Sequence, residues 1–531
     1  MPSYTGPVED FRFLIAEFLD LDACRELPSL DGVDSELVNA VLAEGARFCE
    51  SVLQPLNATG DEAGCRLDGD SVTTPEGFRD AYRTYTENGW PGLTSSTEFG
   101  GQGLPHFLGI AMSEMITAAN TSWGMYPALS HGAWELIHAH GSEDQKQTWL
   151  PQMIAGQWTG TMNLTESHCG TDLGLVRTRA ERADDGSYRI SGTKIWISAG
   201  EHDMAENIIH LVLARTPDAP EGTRGLSLFI VPKFLVDQSG EIGRRNDVRC
   251  AGLDHKMGIR ASATCEMVFD NAVGYLIGEE NKGLNLMFTM MNGARLGTGM
   301  QGLGLASVAY QNAVAFARER LQGRSLDGAK QPEKPADPII VHPDVRRMLM
   351  TSKAFVEGAR ALAIHTALQI DIEHNHPDAG RREQAGHWVA LMTPIIKAYF
   401  TDMGFEVTSL AMQVHGGAGY IVDTGVEQYL RDARIARIYE GTNGIQALDL
   451  VGRKLTAANG ETIKSFFSEV ERLLGECHDD EAMAEFVSPL TDAVERLKRT
   501  TAAVYQKMAG NPLEAGAASV DYLHLFALTT M

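Results

Sequence analysis

The sequence predicts a multidomain α+β protein in which an all-α domain, a β domain and a helical bundle follow one another. In 36–157 and again in 284–455, apolar residues recur at intervals of three and four, the spacing of an amphipathic helix. Between these ranges, in 158–280, the interval falls to two, and polar clusters separate short apolar runs. A chain of 531 residues is long enough to bury several cores.

Each part of the chain has its own predicted content. An extension, 1–35, precedes the first long helix, for which Ser35 is the expected N-cap. The β domain is expected to contain roughly six to eight short strands, and three or four long helices are expected to form the bundle. Residues 456–531 are predicted to form a further helical appendage. It ends in the apolar run "SVDYLHLFALTTM", so we expect that the chain continues or that this end packs on a partner.

Composition excludes two classes of binding protein. The net charge is −25, from 70 acidic and 45 basic residues, whereas a nucleic-acid-binding protein carries a basic surface. The same acidity argues against binding to an anionic membrane. No apolar run reaches the ~18 residues of a transmembrane helix, and no basic segment precedes the apolar residues of the N-terminus. We therefore expect neither a membrane span nor a signal peptide.

The cysteines indicate a reducing compartment. There are seven of them, widely spaced and without a CxxC pair. An odd number at such spacings predicts neither a disulfide framework nor a zinc site, and no metal site is expected elsewhere. The expected location is the cytoplasm.

Two segments of the β domain are candidates for ligand binding. "TMNLTESHCGTDLG", 161–174, runs from a strand into hydroxyl, carboxylate and glycine residues, which can hold a heterocycle or a phosphate but also suit a plain polar turn. "GTKIWISAGEHD", 192–203, places Trp196 and Ser198 on one face of a predicted strand. A tryptophan in a strand is usually a core residue; its functional interpretation is a ring stacked on a cofactor.

The helical bundle contributes two more candidates and a turn. The segment "NGARLGTGMQGLGLA", 292–306, is rich in glycine without the preceding strand that a dinucleotide-binding fingerprint needs. "QVHGGAGY", 413–420, offers backbone amides but also suits a helix C-cap. In "RIYEGTNGIQ", 437–446, two helices meet around Glu440 and Thr442. Read alone, Thr442 is a cap and Glu440 a carboxylate favoured by a helix dipole.

Taken in order, these segments resemble the acyl-CoA dehydrogenase family of flavoproteins. The resemblance covers about 36–455 and includes "EFGGQGLP", "NLTESHCGTDLG", "GTKIWIS", "LIGEENKGLN" and "QVHGGAGYIVDTGVEQYLRDARIARIYEGTNGIQ". It implies an N-terminal α domain, a β-barrel-like middle domain and a C-terminal four-helix bundle. So many segments in register leave little room for chance.

The resemblance implies FAD as cofactor and assigns residues to it. The residues expected to contact FAD are Leu164, Thr165, Thr171, Trp196, Ser198, Arg320, Gln413, Gly417 and Thr442. Those expected to bind the acyl-CoA are Arg295, Thr171, Tyr439 and Gly441. Because Arg320, Gln413 and Gly417 would reach the FAD of a neighbouring subunit, a homodimer or homotetramer is expected.

The implied reaction is α,β-desaturation of an acyl-CoA thioester, with Glu440 removing the α-proton and a β-hydride passing to flavin N5. Some members of the family carry the base just before the arginine that corresponds to Arg295, but that position is Ala294 here. Glu440 is therefore the expected base. A carboxylate with an ordinary pKa of about 4.3 is a weak base at neutral pH, so burial is expected to raise its pKa.

The opening "MPSYTGPVEDFRFL" and the tail after "DLVGRKL" resemble a longer subgroup of the family, and one enzyme of that subgroup acts on 3-methylthiopropionyl-CoA in sulfur-compound degradation. That thioester, or another short or medium acyl-CoA, is the expected substrate, and an electron-transfer flavoprotein the expected acceptor. Two alternatives remain: an acyl-CoA oxidase that uses O₂, and a straight-chain fatty acyl-CoA dehydrogenase of β-oxidation.

Overall fold

The computed structural model describes residues 2–21, 24–237 and 240–531, which divide into two compact units. The first unit comprises Met1–Ala46, Pro105–Ala118 and Arg295–Met531, and the second comprises Arg47–Leu104 and Ala119–Ala294. Among the described residues, no helix combines the length and the apolar character needed to cross a membrane.

The described residues form fourteen α-helices and eleven strands. The helices are α1 Val8–Phe13, α2 Ser35–Phe48, α3 Pro55–Ala63, α4 Phe78–Glu87, α5 His106–His140, α6 Glu143–Ile154, α7 Gly283–Glu319, α8 Pro343–Asn375, α9 Ala379–His415, α10 Glu427–Ala433, α11 Asn443–Asp449, α12 Glu461–Cys477, α13 Ala484–Gly510 and α14 Pro512–Thr530. The strands are β1 Arg66–Asp68, β2 Ser71–Thr73, β3 Trp158–Asn163, β4 Arg179–Arg182, β5 Tyr188–Ser198, β6 Asn207–Ala214, β7 Ser227–Pro232, β8 Phe234–Val236, β9 Ile242–Arg245, β10 Val248–Leu253 and β11 Thr264–Ile277.

Most of the long helices of the first unit share one hydrophobic core. Met300 of α7, Phe355 of α8 and Phe400 of α9 are buried together with apolar residues of α11 to α14. The C-terminal helices therefore belong to the same core as the bundle, and Phe526, near the end of the chain, is fully buried in it. The apolar tail packs on its own chain.

One cap predicted from the sequence is wrong by one position. Ser35 is the first residue of α2, and the side chain of Asp34 accepts a hydrogen bond from the backbone N–H of Leu37 at 2.8 Å. Asp34 is therefore the N-cap. Serine and aspartate cap helices about equally well, so the sequence alone does not distinguish between these neighbours.

The second unit is built on a seven-stranded sheet in the order β3-β6-β7-β11-β5-β4, with β10 paired to β11. β3 and β6 run parallel, whereas the other pairs are antiparallel. The long β11 pairs with β10 and β5 and, towards its end, with β7. With the small β8–β9 sheet, the described part of 158–280 has nine strands, more than the expected six to eight.

Candidate active site

Glu440 lies in a tight turn between a 3-10 turn, Arg434–Arg437, and α11. Its backbone is in the left-handed region, with φ +56°, and that of Gly441 follows at φ +79°. Thr442 then caps α11 by accepting a hydrogen bond from the N–H of Ile445 at 3.3 Å. Left-handed backbone is uncommon for a residue with a side chain and is often found at functional sites.

Two side chains hold this turn. Gln446 is fully buried, and its Nε2 donates to the carbonyl oxygens of Glu440 at 3.0 Å and Gly441 at 3.3 Å. The hydroxyl of Tyr439 donates to Gln301 of α7. Hydrogen bonds therefore hold the backbone of Glu440 and Gly441 and the side chain of the residue before them.

The surroundings of Glu440 shift the pKa of its carboxyl group. Desolvation raises its pKa to about 7, although the charges of Lys397 and Arg295 oppose the shift. A base with a pKa close to the working pH combines an adequate ionised fraction with useful basicity. The expected upward shift is confirmed.

Arg295 lies inside the first unit, on α7. It is almost fully buried, and its guanidinium is 4.0 Å from the carboxylate of Asp449. Burial lowers its pKa, and the charges of Asp449 and Glu440 act in the opposite direction. Its assignment to binding of the acyl-CoA stays a prediction.

Trp196, in the second unit, is on the surface of its strand. Lys194 and Ile197 of β5 pair with Met267 and Cys265 of β11, so two residues of β5 stand opposite one of β11. Within this bulge Trp196 has φ +60°, and 63% of its surface is exposed. The indole is therefore not a core residue, in contrast to the usual place of a strand tryptophan. Bulges often redirect a side chain beside an active site.

The end of β3 is fixed against β5 by a buried ion pair. Lys194 is fully buried; its Nζ donates to Glu166 at 2.9 Å and to the carbonyl oxygen of Leu164 at 3.0 Å. The carbonyl oxygen of Thr165 accepts from the N–H of Ile195 at 2.9 Å. Leu164 and Thr165, both expected to contact FAD, thus have a fixed backbone.

The loop after this pair contains a group that resembles a metal site. Glu166, His168 and Cys169 bring their ligand atoms within 4.8 Å of one another. Burial would raise the pKa of Glu166, but the charge of Lys194 and hydrogen bonds from Thr178 and the backbone lower it to about 2. Nε2 of His168 lies 2.9 Å from the carbonyl oxygen of Leu175. Glu166 and His168 thus have protein partners.

The other residues assigned to FAD and acyl-CoA lie on surfaces. Thr171 is exposed beside Asp172, which caps a short 3-10 helix, as in a plain polar turn. Ser198 is half-buried at the end of β5, and Thr442 is exposed.

Arg320, Gln413 and Gly417 are exposed near the ends of α7 and α9. Those ends meet where the rings of Phe316 and His415 pack 4.5 Å apart.

Sequence reasoning missed the residues that support these turns, chiefly Gln446, Lys194 and the buried Lys397. Lys397 had a signal: it is a single charge within the apolar run "TPIIKAYF". The sequence contains no such signal for Gln446, because its partners are backbone atoms of a turn whose shape the sequence does not reveal.

Four family models match in chain order. They describe the N-terminal, middle and C-terminal domains of acyl-CoA dehydrogenase, over 36–157, 161–272 and 281–455, and an acetyl-CoA dehydrogenase C-terminal-like domain over 461–531. The chain belongs to the acyl-CoA dehydrogenase family. It is thus an oxidoreductase of a family that uses FAD, and the fold expected from the resemblance is confirmed.

Relatives in this family span nearly the whole chain. The 3-methylmercaptopropionyl-CoA dehydrogenase of Ruegeria pomeroyi is 44% identical over 98% of this chain and 88% of its own length. A butyryl-CoA dehydrogenase of Syntrophomonas wolfei is 36% identical over 96% of this chain and 85% of its own. Caenorhabditis elegans ACDH-11, solved in complex with C11-CoA, has a TM-score of 0.80 at 20% identity. The match covers 100% of this chain and 87% of the ACDH-11 chain, and it shows that the two share the fold.

The residues present fit the FAD of this family. Trp196 offers an exposed aromatic face, and the half-buried Thr165 and Ser198 offer hydroxyl groups. At Gly417, an added Cβ would meet no described atom within 4 Å, so a ligand can approach the backbone there. The aromatic platform and hydroxyl groups of the second unit suit a flavin ring, and, taken by itself, the open backbone at Gly417 in the first unit suits a polar group such as a pyrophosphate.

Proposed function

We propose that this protein catalyses α,β-desaturation of an acyl-CoA thioester with Glu440 as the base. The observation that carries this proposal is the Glu440 turn, where a half-buried carboxylate on left-handed backbone has its pKa raised by burial to about 7. FAD, when bound, supplies the acceptor for the β-hydride. Leu164, Thr165, Thr171, Trp196, Ser198, Arg320, Gln413, Gly417 and Thr442 would hold it.

The work of the protein's own residues is to position the thioester and move one proton. The carboxylate of Glu440 takes the α-proton, and the N–H of Glu440 is a candidate donor to the thioester oxygen. Such a donor contributes on the order of 10²–10³ in rate, and a positioned base on the order of 10²–10⁴. Tyr439, Gly441, Thr171 and Arg295 are proposed to contact the substrate.

The substrate we propose is 3-methylthiopropionyl-CoA. The support is the relative from Ruegeria pomeroyi, whose name gives the same thioester and which is 44% identical over 98% of this chain. The second candidate is a straight-chain acyl-CoA, which the butyryl-CoA dehydrogenase at 36% identity favours. Values of kcat/KM for the methylthio thioester, butyryl-CoA and longer thioesters distinguish the two.

An electron-transfer flavoprotein is the proposed acceptor, and the alternative is an oxidase that uses O₂. Stoichiometric peroxide release under air would identify the oxidase. We also propose a homodimer or homotetramer in the cytoplasm. The exposed Tyr420, Ile421 and Val422, close to Gln413 and Gly417, support self-association.

The decisive experiment is Glu440→Gln. The variant should bind FAD, yet anaerobic addition of the acyl-CoA should no longer bleach the flavin absorbance, because the amide cannot accept the α-proton. Glu357→Gln, on the surface of α8 beside Lys353, is the matched control and should bleach as the natural protein does. Full turnover by Glu440→Gln would refute the proposal.

A further inference from the structure

Lys397 is a buried charge in the middle of α9. Its side chain is fully buried, and its neighbours Ile395, Ile396, Ala398 and Tyr399 are buried apolar residues. A buried ammonium group is costly unless hydrogen bonds and opposite charges compensate it. Packing of the core therefore does not explain why a lysine occupies this position.

The hydrogen bonds of Lys397 lead to the Glu440 turn. Its Nζ donates to Oδ1 of Asn443 at 2.8 Å. Nδ2 of Asn443 in turn donates to the carbonyl oxygen of Ala398 at 3.1 Å and to the hydroxyl of Thr401 at 2.9 Å. Asn443 is the first residue of α11 and stands three positions after Glu440. Through this amide, α9 holds the backbone that carries the base.

The charged groups around Lys397 come from several elements. Asp402 of α9 is bound by Arg437 at 2.5 Å and by His524 of α14 at 3.0 Å. Arg295 of α7 is held by Asp449 at 4.0 Å. Asp402 is thus already paired with Arg437, and Arg295 with Asp449, apart from their electrostatic interactions with Lys397 and Glu440.

The electrostatic influence is mutual. Burial lowers the pKa of Lys397 to about 7, while the charges of Glu440 and Asp402 act to raise it. Among the charges that oppose the upward pKa shift of Glu440, that of Lys397 is the largest, ahead of Arg295. Removing the ammonium group would therefore leave Glu440 with a still higher pKa.

We infer that Lys397 is a positioning residue for the base: it anchors the Glu440 turn through Asn443 and supplies a buried positive charge that favours the ionised carboxylate. The inference rests on the proposed role of Glu440. It predicts two separable effects, one of the hydrogen bond on the geometry of the turn and one of the charge on the pH at which the base is active.

The test compares the pH profiles of kcat/KM for three holoenzymes. The natural protein should gain activity as pH rises through about 7. Lys397→Gln has an amide donor but no charge. The acid limb of its kcat/KM profile should move to higher pH by about one unit, which lowers kcat/KM at pH 6 about tenfold. The plateau at high pH should remain close to that of the natural protein.

Lys397→Met has neither charge nor donor, so it should show the same displaced limb and a lower plateau of kcat. Lys353→Met is the matched control, because Lys353 is a half-exposed lysine of α8 paired with Glu357; its profile should not change. Thermal unfolding of each holoenzyme reports whether it folds.

An unchanged acid limb in either folded variant would overturn the inference while leaving the proposed function intact, provided that Glu440→Gln is inactive. Failure of both Lys397 variants to fold would also overturn it, since a purely structural role would then suffice. Activity of Glu440→Gln would instead refute the proposed function.

Discussion

At the scale of single residues, Trp196 and Glu440 share an unusual property: both have left-handed backbone, with φ +60° and +56°. Such a conformation costs about 1–3 kcal/mol and persists only when the surroundings impose it. For Trp196 the surroundings are the paired strands β5 and β11; for Glu440 they are Gln446 and the Asn443 anchor. The conformation therefore supports a functional role for both.

Gly441 is where this turn is most sensitive to substitution. Its backbone has φ +79°, and an added Cβ would lie 2.7 Å from Nε2 of Gln446. Gly441→Ala would strain the backbone by about 1–2 kcal/mol and displace the amide that holds Glu440. We expect kcat to fall roughly ten- to a hundredfold, because small displacements of a catalytic group are costly. Steady-state kinetics and the retained FAD absorbance are the measurements.

Gly444 provides the matched control three residues further on. It is the second residue of α11, and the nearest atom to an added Cβ is Oγ1 of Thr442 at 4.0 Å. Gly444→Ala should leave kcat unchanged and stabilise the helix by up to about 1 kcal/mol. Equal kinetic losses in the two variants would contradict this account of the turn.

The sequence indicated the turn around Glu440 and the capping residue Thr442, but not the side chains that support them. The turn, its cap and the helices around it were predictable because their pattern is local, whereas the role proposed for Glu440 came from the resemblance to the family. Lys397 stood out as a single charge within an apolar run, but its contact with the turn was not predictable, because its partner, Asn443, is 46 positions away along the chain. The usual place of a strand tryptophan, in the core, does not hold for the exposed Trp196. The regular alternation of inward and outward side chains along a strand does not predict a bulge.

At the scale of elements, one arginine joins four helices of the first unit. Arg360 of α8 donates to Glu114 of α5 through Nε at 3.0 Å and Nη2 at 2.5 Å, and to Asp10 of α1 at 2.7 Å. Its Nη2 also donates to Ser307 of α7 at 3.2 Å. Arg360 and Glu114 are both almost fully buried, so each depends on the other for compensation.

Breaking this pair should therefore be costly, whereas replacing both members should not. Arg360→Met leaves the Glu114 carboxylate buried without its partner, and we expect the free energy of unfolding to fall by about 3–5 kcal/mol. The double variant Arg360→Met/Glu114→Met should recover much of that loss. Denaturant unfolding of the two single variants and the double variant measures the coupling.

The exposed pair Lys353 and Glu357 on the same helix calibrates the measurement. Removing it by Lys353→Met should change the free energy of unfolding by no more than about 1 kcal/mol. A double variant less stable than Arg360→Met would show that the buried pair contributes more than mutual compensation.

At the scale of the whole molecule, the order of helical and β segments along the chain was predictable, but the division into two compact units was not. Periodicity identifies helices and strands, yet it does not say which helices share a core. The helices beyond 455 were expected to form an appendage, but α12, α13 and α14 contribute to the core of α7, α8 and α9. Likewise, α2, α5 and α7 each contribute residues to both units.

Because the core is shared, the last helix should matter to the fold of the first unit. Phe526 of α14 is fully buried and packs 4.7 Å from the ring of Phe466, whereas Leu528 is 63% exposed. Phe526→Ala should lower the free energy of unfolding by about 3–5 kcal/mol through the cavity it leaves. Leu528→Ala should change it by no more than about 0.5 kcal/mol. Denaturant midpoints of the two variants measure the difference; equal midpoints would mean that α14 folds apart from the bundle.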